Sequence, residues 1–327
     1  MTSRWDHDLI ELLKTGPAVL ATVVQVRGSV PREVGARMVV NAQGQIWGTI
    51  GGGAGEAKVI RQALEALSTG ISRSIEIDLT GASHQETQGV CGGIMRVWLG
   101  YWEGEAALAI AHRIQTTLNQ GKSLTLITPL NPDQVAYVVD SPPHILPANS
   151  FTETLQPRPT LLIVGAGHVG EQLAKTAASV GFQIVVQDDR AEWANSQRYP
   201  QADRLFNDPI AVALKNLAHH SQLYVALVTR GYQYDLEALE ALLNRSIHCQ
   251  YIGMIGSEKR IRQVYEELIQ QGFPDVKLRS IYAPIGLDIG ALSPEEIAVS
   301  IAAELILVRR GGTGKPLSHL RQSKVYP

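Results

Sequence analysis

Sulfur is scarce in this chain. Cys91 and Cys249 are its two cysteines, too few and too far apart for a disulfide framework or a Cys-x-x-Cys metal site. A reducing cytoplasm fits that poverty best. Histidines are scattered, with His84, His112 and the pair His219-His220 at no metal-ligand spacing, so no protein-bound zinc is expected. Charge of one sign is not in excess either. Lys and Arg number 29 against 31 Asp and Glu, which leaves no basic field to draw in nucleic acid or an anionic membrane surface. No run reaches the ~18 apolar residues of a membrane helix. Arg4, Asp6, Asp8 and Glu11 interrupt the N-terminus, where a signal peptide needs an unbroken apolar core. What is present is ordinary: 45% hydrophobic and 18% charged residues, the composition of a chain that folds. Its 327 residues exceed the usual size of one core, and two domains are the expectation.

Periodicity predicts a mixed α/β domain over residues 1–155 and a second α/β domain over 156–327. Trp5 to Lys14 has the spacing of a short amphipathic helix, and Ala18 to Val26 is the apolar, β-branched run of a buried strand. Met38 to Asn41 and Gln45 to Ile50 flank Gln43-Gly44, which predicts a hairpin. A helix from about Glu56, strands at Ser74 to Leu79 and Ile94 to Gly100, a helix over Ala106 to Asn119 and strands at Leu124 to Thr128 and Val135 to Val139 follow. Ser141 to Pro159 has no periodicity and is rich in proline, which predicts an extended connector. Beyond it strands and helices alternate: Leu161 to Val164, Val169 to Val180, Gln183 to Gln187, then Leu223 to Val228 and Gln250 to Ile255. That is the pattern of a Rossmann-like, doubly wound parallel sheet. Ser293-Pro294-Glu295-Glu296 supplies a capping box for a last helix that ends at Gly311. Its apolar residues are not confined to one face, which predicts a buried helix or a subunit contact, and hence a homodimer. The tail 312–327 is polar and reads as mobile.

Several motifs carry chemistry. Gly165-Ala166-Gly167-His168-Val169-Gly170 follows a strand and opens a helix, a position that suits a pyrophosphate. Asp188, at the end of the next strand, stands where a ribose carboxylate belongs, and Arg190 beside it suits a 2′-phosphate instead. A turn kept only for packing is the bland alternative. Gly51, Gly52, Gly53 and Gly55 lie between a strand and a helix, where N–H groups can form an anion nest. Neither this run nor Gly311 to Pro316 is a Walker phosphate loop. Arg27-Gly28-Ser29-Val30-Pro31-Arg32, with Arg37, gathers three guanidinium groups suited to an anionic small molecule. Cys91 is flanked by glycines in Gly89-Val90-Cys91-Gly92-Gly93, which marks it as an accessible candidate thiol. Cys249, among large apolar neighbours, reads as structural.

Taken together these segments resemble the xanthine dehydrogenase accessory factor family, XdhC/CoxI, over nearly the whole chain. The N-terminal signature is matched by Thr22-Val23-Val24, Arg27 to Arg32, Gly35 to Met38, Gly48 to Gly53 through Glu56, and Cys91-Gly92-Gly93. The C-terminal signature is matched by Gly165 to Gly170, Asp188 to Arg190, Thr229-Arg230-Gly231, Tyr251 to Ser257 including Gly256, and Ala283 to Ala291. The resemblance implies a non-enzymatic chaperone that binds the molybdenum cofactor, molybdopterin, keeps it while a sulfido ligand is acquired, and delivers it to an apo molybdenum hydroxylase of the xanthine dehydrogenase type. A cysteine desulfurase is the second implied partner. Cofactor contacts would come from Arg27, Ser29, Arg32, Gly51, Gly52, Gly53, Glu56, Cys91, Gly92 and Gly93. In the second domain they would come from Gly165, Gly167, His168, Gly170, Asp188, Arg190, Arg230, Gly256 and Ser257. Two departures stand out: Ala54 replaces a cysteine common among relatives, and Tyr232 replaces a histidine.

Two other readings stay open. An NAD(P)-dependent oxidoreductase would use the Gly165 to Gly170 loop with His168 or Asp235 as an acid–base group. An interaction scaffold would keep the Rossmann turn without a ligand. The second domain's crevice would hold NAD(P), a nucleotide-bearing pterin, or nothing.

Overall fold

The computed structural model describes residues 5–80 and 92–318, and the chain divides into two compact units, Met1–Gln156 and Pro157–Pro327. The first unit runs α1 (Trp5–Leu13), β1 (Ala18–Arg27), β2 (Arg37–Asn41), β3 (Ile46–Gly48), α2 (Gly53–Thr69), β4 (Arg73–Asp78), β5 (Ile94–Trp102), α3 (Gly104–Asn119), β6 (Leu124–Pro129), β7 (Tyr137–Val139) and β8 (Ser150–Leu155). Its main sheet is antiparallel, in the order β3-β2-β1-β5-β4. Because β1 is central, both its faces need cover. Val19, Ala21 and Val23 pack with Val59, Ala63 and Ala66 of α2. Ala18 and Leu20 pack with Leu9, Ile10 and Leu13 of α1 and with Ala111 of α3. Two-sided burial explains why β1 reads as a continuous apolar run rather than as an alternation.

The hairpin expected around Gln43-Gly44 is present, with Met38 opposite Gly48. Asn41 shapes its turn by accepting from the Gln43 and Gln45 N–H groups at 3.0 and 2.9 Å. The connector expected over Ser141 to Pro159 is partly wrong. Ser150–Leu155 forms β8, which pairs antiparallel with β6 in a three-stranded sheet of order β7-β6-β8. Polar Thr152 and Thr154 and the neighbouring prolines hide this strand from an apolar count.

The second unit runs β9 (Thr160–Val164), α4 (His168–Ser179), β10 (Gln183–Gln187), β11 (Arg204–Phe206), α5 (Ile210–Asn216), β12 (Leu223–Leu227), α6 (Tyr232–Leu243), β13 (Tyr251–Met254), α7 (Glu258–Gln270), α8 (Asp275–Leu278) and α9 (Pro294–Arg310). All five strands are parallel, in the order β11-β10-β9-β12-β13. The chain winds outward from β9 to β11, then returns to the far side of β9 with β12. This reversal opens a crevice at the carboxyl ends of β9 and β12, where doubly wound sheets bind ligands. Leu162, Val164, Val225 and Leu227 face α5, α6 and α7; Leu161, Ile163, Tyr224 and Ala226 face α4 and α9.

The capping box opens α9 as its sequence requires. The Ser293 side chain accepts from the Glu296 N–H, and Glu296 accepts from the Ser293 N–H at 3.0 Å. Gly311 closes the helix in the left-handed region at φ 68°. Ala298, Ile301, Ala302 and Leu305 are buried while Val299 is half exposed, so α9 is covered along one face rather than all round. Glu304 on the same helix is buried; it accepts from the Gly286 N–H at 2.9 Å and from the Tyr251 hydroxyl, fixing the Ala283 to Gly290 segment against β13.

Candidate functional site

The turn after β9 separates the glycines the fold needs from the one it does not. Gly165 adopts φ +108°, and a Cβ there would stand 2.5 Å from the Val228 carbonyl oxygen. A Cβ on Gly170 would stand 2.3 Å from the Gly165 carbonyl oxygen. Packing of α4 on β9 and β12 therefore dictates both. Gly167 has φ −73°, open to any residue, and a Cβ there would meet nothing within 4 Å. In turns of this kind the middle glycine lets a ligand's phosphates approach the backbone. The Tyr199 hydroxyl braces the turn from below by donating to the Gly167 carbonyl at 3.4 Å.

Asp188, at the end of β10, is buried and saturated. It accepts from the Ala166 N–H at 2.7 Å, the Arg190 N–H at 3.1 Å, and the Arg190 Nε and Nη2 at 2.8 and 2.9 Å. Four donors fill the roughly four lone-pair sites of a carboxylate. Burial by itself would raise the Asp188 pKa, but hydrogen bonds from Arg190 and Ala166 outweigh it and hold the carboxyl down at about 2. Arg190 and Arg198 both lie over the Trp193 ring, at 4.8 and 4.3 Å from its centroid, and His168 meets that ring edge-on at 5.8 Å. Arg230 forks onto Asp189 at 2.8 and 2.9 Å and covers Tyr234 at 4.1 Å.

Two cavities meet at this turn. One of about 190 Å³ is walled by Val164, Pro209, Ile210 and Tyr234, with Gln187 and Glu237 among its polar groups. The other, of about 520 Å³, is lined by Gly167, His168, Arg190, Trp193, Gly256 and Arg260. Both include Gly165, Thr229 and Arg230.

Sequence reasoning passed over Arg260 and Trp193. Arg260 is held by the fully buried Asp235, 2.6 Å from Nε, and by the Thr229 hydroxyl at 2.7 Å. No local pattern announces it: Ser257 caps α7 by accepting from the Arg260 backbone N–H, which any residue but proline would supply. Asp235 itself lines neither cavity and is committed to Arg260 and Thr229. That removes it as an acid–base group.

In the first unit, glycines draw three signature loops together. A Cβ on Gly93 would stand 2.4 Å from the Ser29 carbonyl oxygen and 2.7 Å from that of Arg27. One on Gly28 would stand 3.0 Å from the Gly92 carbonyl oxygen, and one on Gly51 would stand 2.5 Å from the Pro31 ring. Arg27, Ser29 and Arg32 are exposed on this cluster. Arg37 is not part of it. It sits buried on β2, paired with Glu153 of β8 and stacked over Trp5 at 4.5 Å, and burial pushes its guanidinium down to about 10.

The glycine nest expected at Gly51 to Gly53 is filled from within. Glu56 accepts from the Thr49 hydroxyl at 2.6 Å and from the Ile50 and Gly52 N–H groups at 3.3 Å. Cys91 and His84 lie outside the described residues. Cys249 packs beside the core under β12 and β13, and burial pushes its thiol up to about 11, as befits a structural cysteine.

A model of the XdhC Rossmann domain matches residues 161–305, and a model of the XdhC and CoxI family matches residues 12–78. The chain belongs to the XdhC and CoxI family. XdhC-type likeness extends to whole chains. A Bacillus subtilis protein named as a probable xanthine dehydrogenase subunit is 29% identical, over 90% of this chain and 93% of its own. The Escherichia coli molybdenum cofactor insertion chaperone PaoD is 25% identical, over 92% and 86%. A crystal structure described as a xanthine dehydrogenase from Bacillus halodurans superposes with a TM-score of 0.74 at 28% identity, covering 96% of this chain and 99% of that one. Both the mixed α/β first unit and the Rossmann-like second unit thus match what the sequence implied.

Proposed function

We propose that this XdhC/CoxI protein is a maturation chaperone: it binds molybdopterin, keeps it while the sulfido ligand is acquired, and delivers it to a xanthine dehydrogenase-type apo-enzyme. The pterin cofactor is cargo in this reading, not a resident group. The observation that carries it is the convergence of the Arg27 to Arg32, Gly48 to Gly53 and Gly92-Gly93 loops on one end of the first unit. Exposed Arg27, Ser29 and Arg32 supply donors for the pterin phosphate, and Cys91, next to Gly92, supplies a soft thiol. Glu56 acts by holding the glycine loop in shape rather than by touching the cofactor. The relatives' names, one a xanthine dehydrogenase component and the other an insertion chaperone, agree with this role.

The rest of the reading concerns company and place. A cysteine desulfurase is the sulfur donor, a second copy of the chain completes a homodimer, and the cytoplasm is the compartment. No helix among the described residues is long and apolar enough to cross a membrane. In the second unit, the crevice around Gly167, His168, Arg190 and Arg260 accepts a nucleotide, either a nucleotide-bearing form of the pterin or NAD(P). An oxidoreductase is disfavoured because Asp235, a candidate acid–base group for it, is committed to Thr229 and Arg260.

Anaerobic incubation of wild type and Cys91→Ala with molybdenum cofactor, followed by removal of free ligand and fluorescence of the oxidised pterin, tests the proposal. Wild type is expected to retain pterin and the variant to lose most of it. Retention by neither protein would overturn the chaperone reading; equal retention would remove the thiol from the site.

A further inference from the structure

The smaller cavity of the second unit has a shape and a chemistry that its neighbour lacks. At about 190 Å³ it falls below the about 300–1,000 Å³ of sites that take a whole small molecule. It has room for one flat ring system, not for a complete cofactor. Its apolar walls are Val164 at the end of β9, Pro209 and Ile210 at the start of α5, and the Tyr234 ring on α6. It lies beyond Asp188, on the side of the crevice away from Gly167 and His168, which line the larger cavity. A ligand with a ring at one end and phosphates in the middle would therefore place the ring here.

The polar groups around that slot are unequal. Arg230 and Asp189 neutralise one another through two hydrogen bonds, and Tyr234 accepts a third from Arg230. The Gln187 amide nitrogen is spent on the Asp208 carbonyl at 2.9 Å. Asp188 is full. Glu237, one turn along α6 from Tyr234 and therefore on the same face, has no ion-pair or hydrogen-bond partner among the described residues. A carboxylate accepts and cannot donate, so the edge it meets must carry N–H groups.

We propose that this cavity is a nucleobase pocket that prefers bases with an exocyclic amino group, and that Glu237 is its specificity-determining residue. Adenine, cytosine and guanine present an amino group at the ring edge. Uracil and hypoxanthine present a carbonyl oxygen where cytosine and adenine carry that group; the ring N–H they offer instead lies beside that oxygen, whose lone pairs repel the carboxylate, and makes the poorer donor edge. The inference rests on the reading that the crevice accepts a nucleotide and adds which bases it takes.

The test is calorimetric titration of the full chain with the matched pairs CDP and UDP, and ADP and IDP, for wild type and Glu237→Gln. Retention of molybdopterin is measured on the same preparations. Glu237 is exposed and unpartnered among the described residues, so the variant should fold as wild type does. An amide can turn either its oxygen or its nitrogen to the base, so discrimination should collapse. Wild type is expected to bind the amino-bearing member of each pair about tenfold more tightly, and the variant to bind both members within about twofold. Equal binding within pairs by wild type, or discrimination unchanged in the variant, would overturn the base assignment. Failure of all four nucleotides to bind would overturn both it and the nucleotide reading of the crevice. Molybdopterin retained in that case would leave the chaperone function standing.

Discussion

The two glycine-rich turns of this chain occupy equivalent places, each between a strand and the N-terminus of a helix, yet they differ in which of their N–H groups the chain itself occupies. At Gly51 to Gly53 the Gly52 N–H meets a carboxylate supplied four residues on, for Glu56 also bonds Thr49 and Ile50, and the Gly51 N–H goes to the Thr49 hydroxyl. At Gly165 to Gly170 the outer glycines are locked by packing and Asp188 takes the Ala166 N–H, while the middle glycine faces open space. A glycine run is therefore no measure of ligand binding by itself. What matters is whether the chain fills the nest it builds and whether each glycine is already required by a neighbour.

Three substitutions would break or sharpen that contrast. Gly170→Ala should have the largest effect, since its methyl group would collide with the Gly165 carbonyl; a loss of about 3 kcal/mol, the upper end of overpacking costs, is expected in urea unfolding. A value under about 0.5 kcal/mol, the range of an unconstrained surface change, would mean that the turn is not held by packing. Glu56→Ala should cost about 1–2 kcal/mol, because it strips three donors of a charged acceptor, and it should make the emptied nest a measurable anion site by sulfate titration. No sulfate response would show that the loop collapses once its carboxylate is gone. Gly167→Ala should leave stability within about 0.5 kcal/mol of wild type while weakening nucleotide binding about tenfold. Unchanged affinity would place the phosphates elsewhere.

Much of the architecture was legible because it rests on local signals. The two-sided apolar run of β1, the Asn41 turn and the capping box at Ser293 each occupy a few consecutive residues and leave little freedom. Strand β8 escaped notice because its side chains are largely polar and prolines stand on both sides of it. The candidate site was legible in its glycines and less so in its charges. Arg37 seemed to belong with Arg27 and Arg32 by proximity in sequence, but its partner Glu153 lies on a strand far along the chain. Arg260 and Glu304 matter through contacts with Asp235 and Tyr251 that nothing in their own neighbourhood announces. Composition and spacing report which groups are available; only the fold decides which of them neutralise one another.

The central position of β1 also has a consequence for how the protein is made. Its partner on one side, β2, follows directly, so Ala18 can meet Asn41 as soon as the hairpin leaves the ribosome. Its partner on the other side is β5, where Ala18 pairs with Trp102. At about 5–20 residues per second, translation needs seconds to deliver that strand. For those seconds the central, largely apolar strand of the first unit's main sheet has one unpaired edge and an incomplete cover. Slower growth and an available holdase should therefore raise the soluble yield; β9 of the second unit waits in the same way, with β10 on one edge, until β12 arrives on the other.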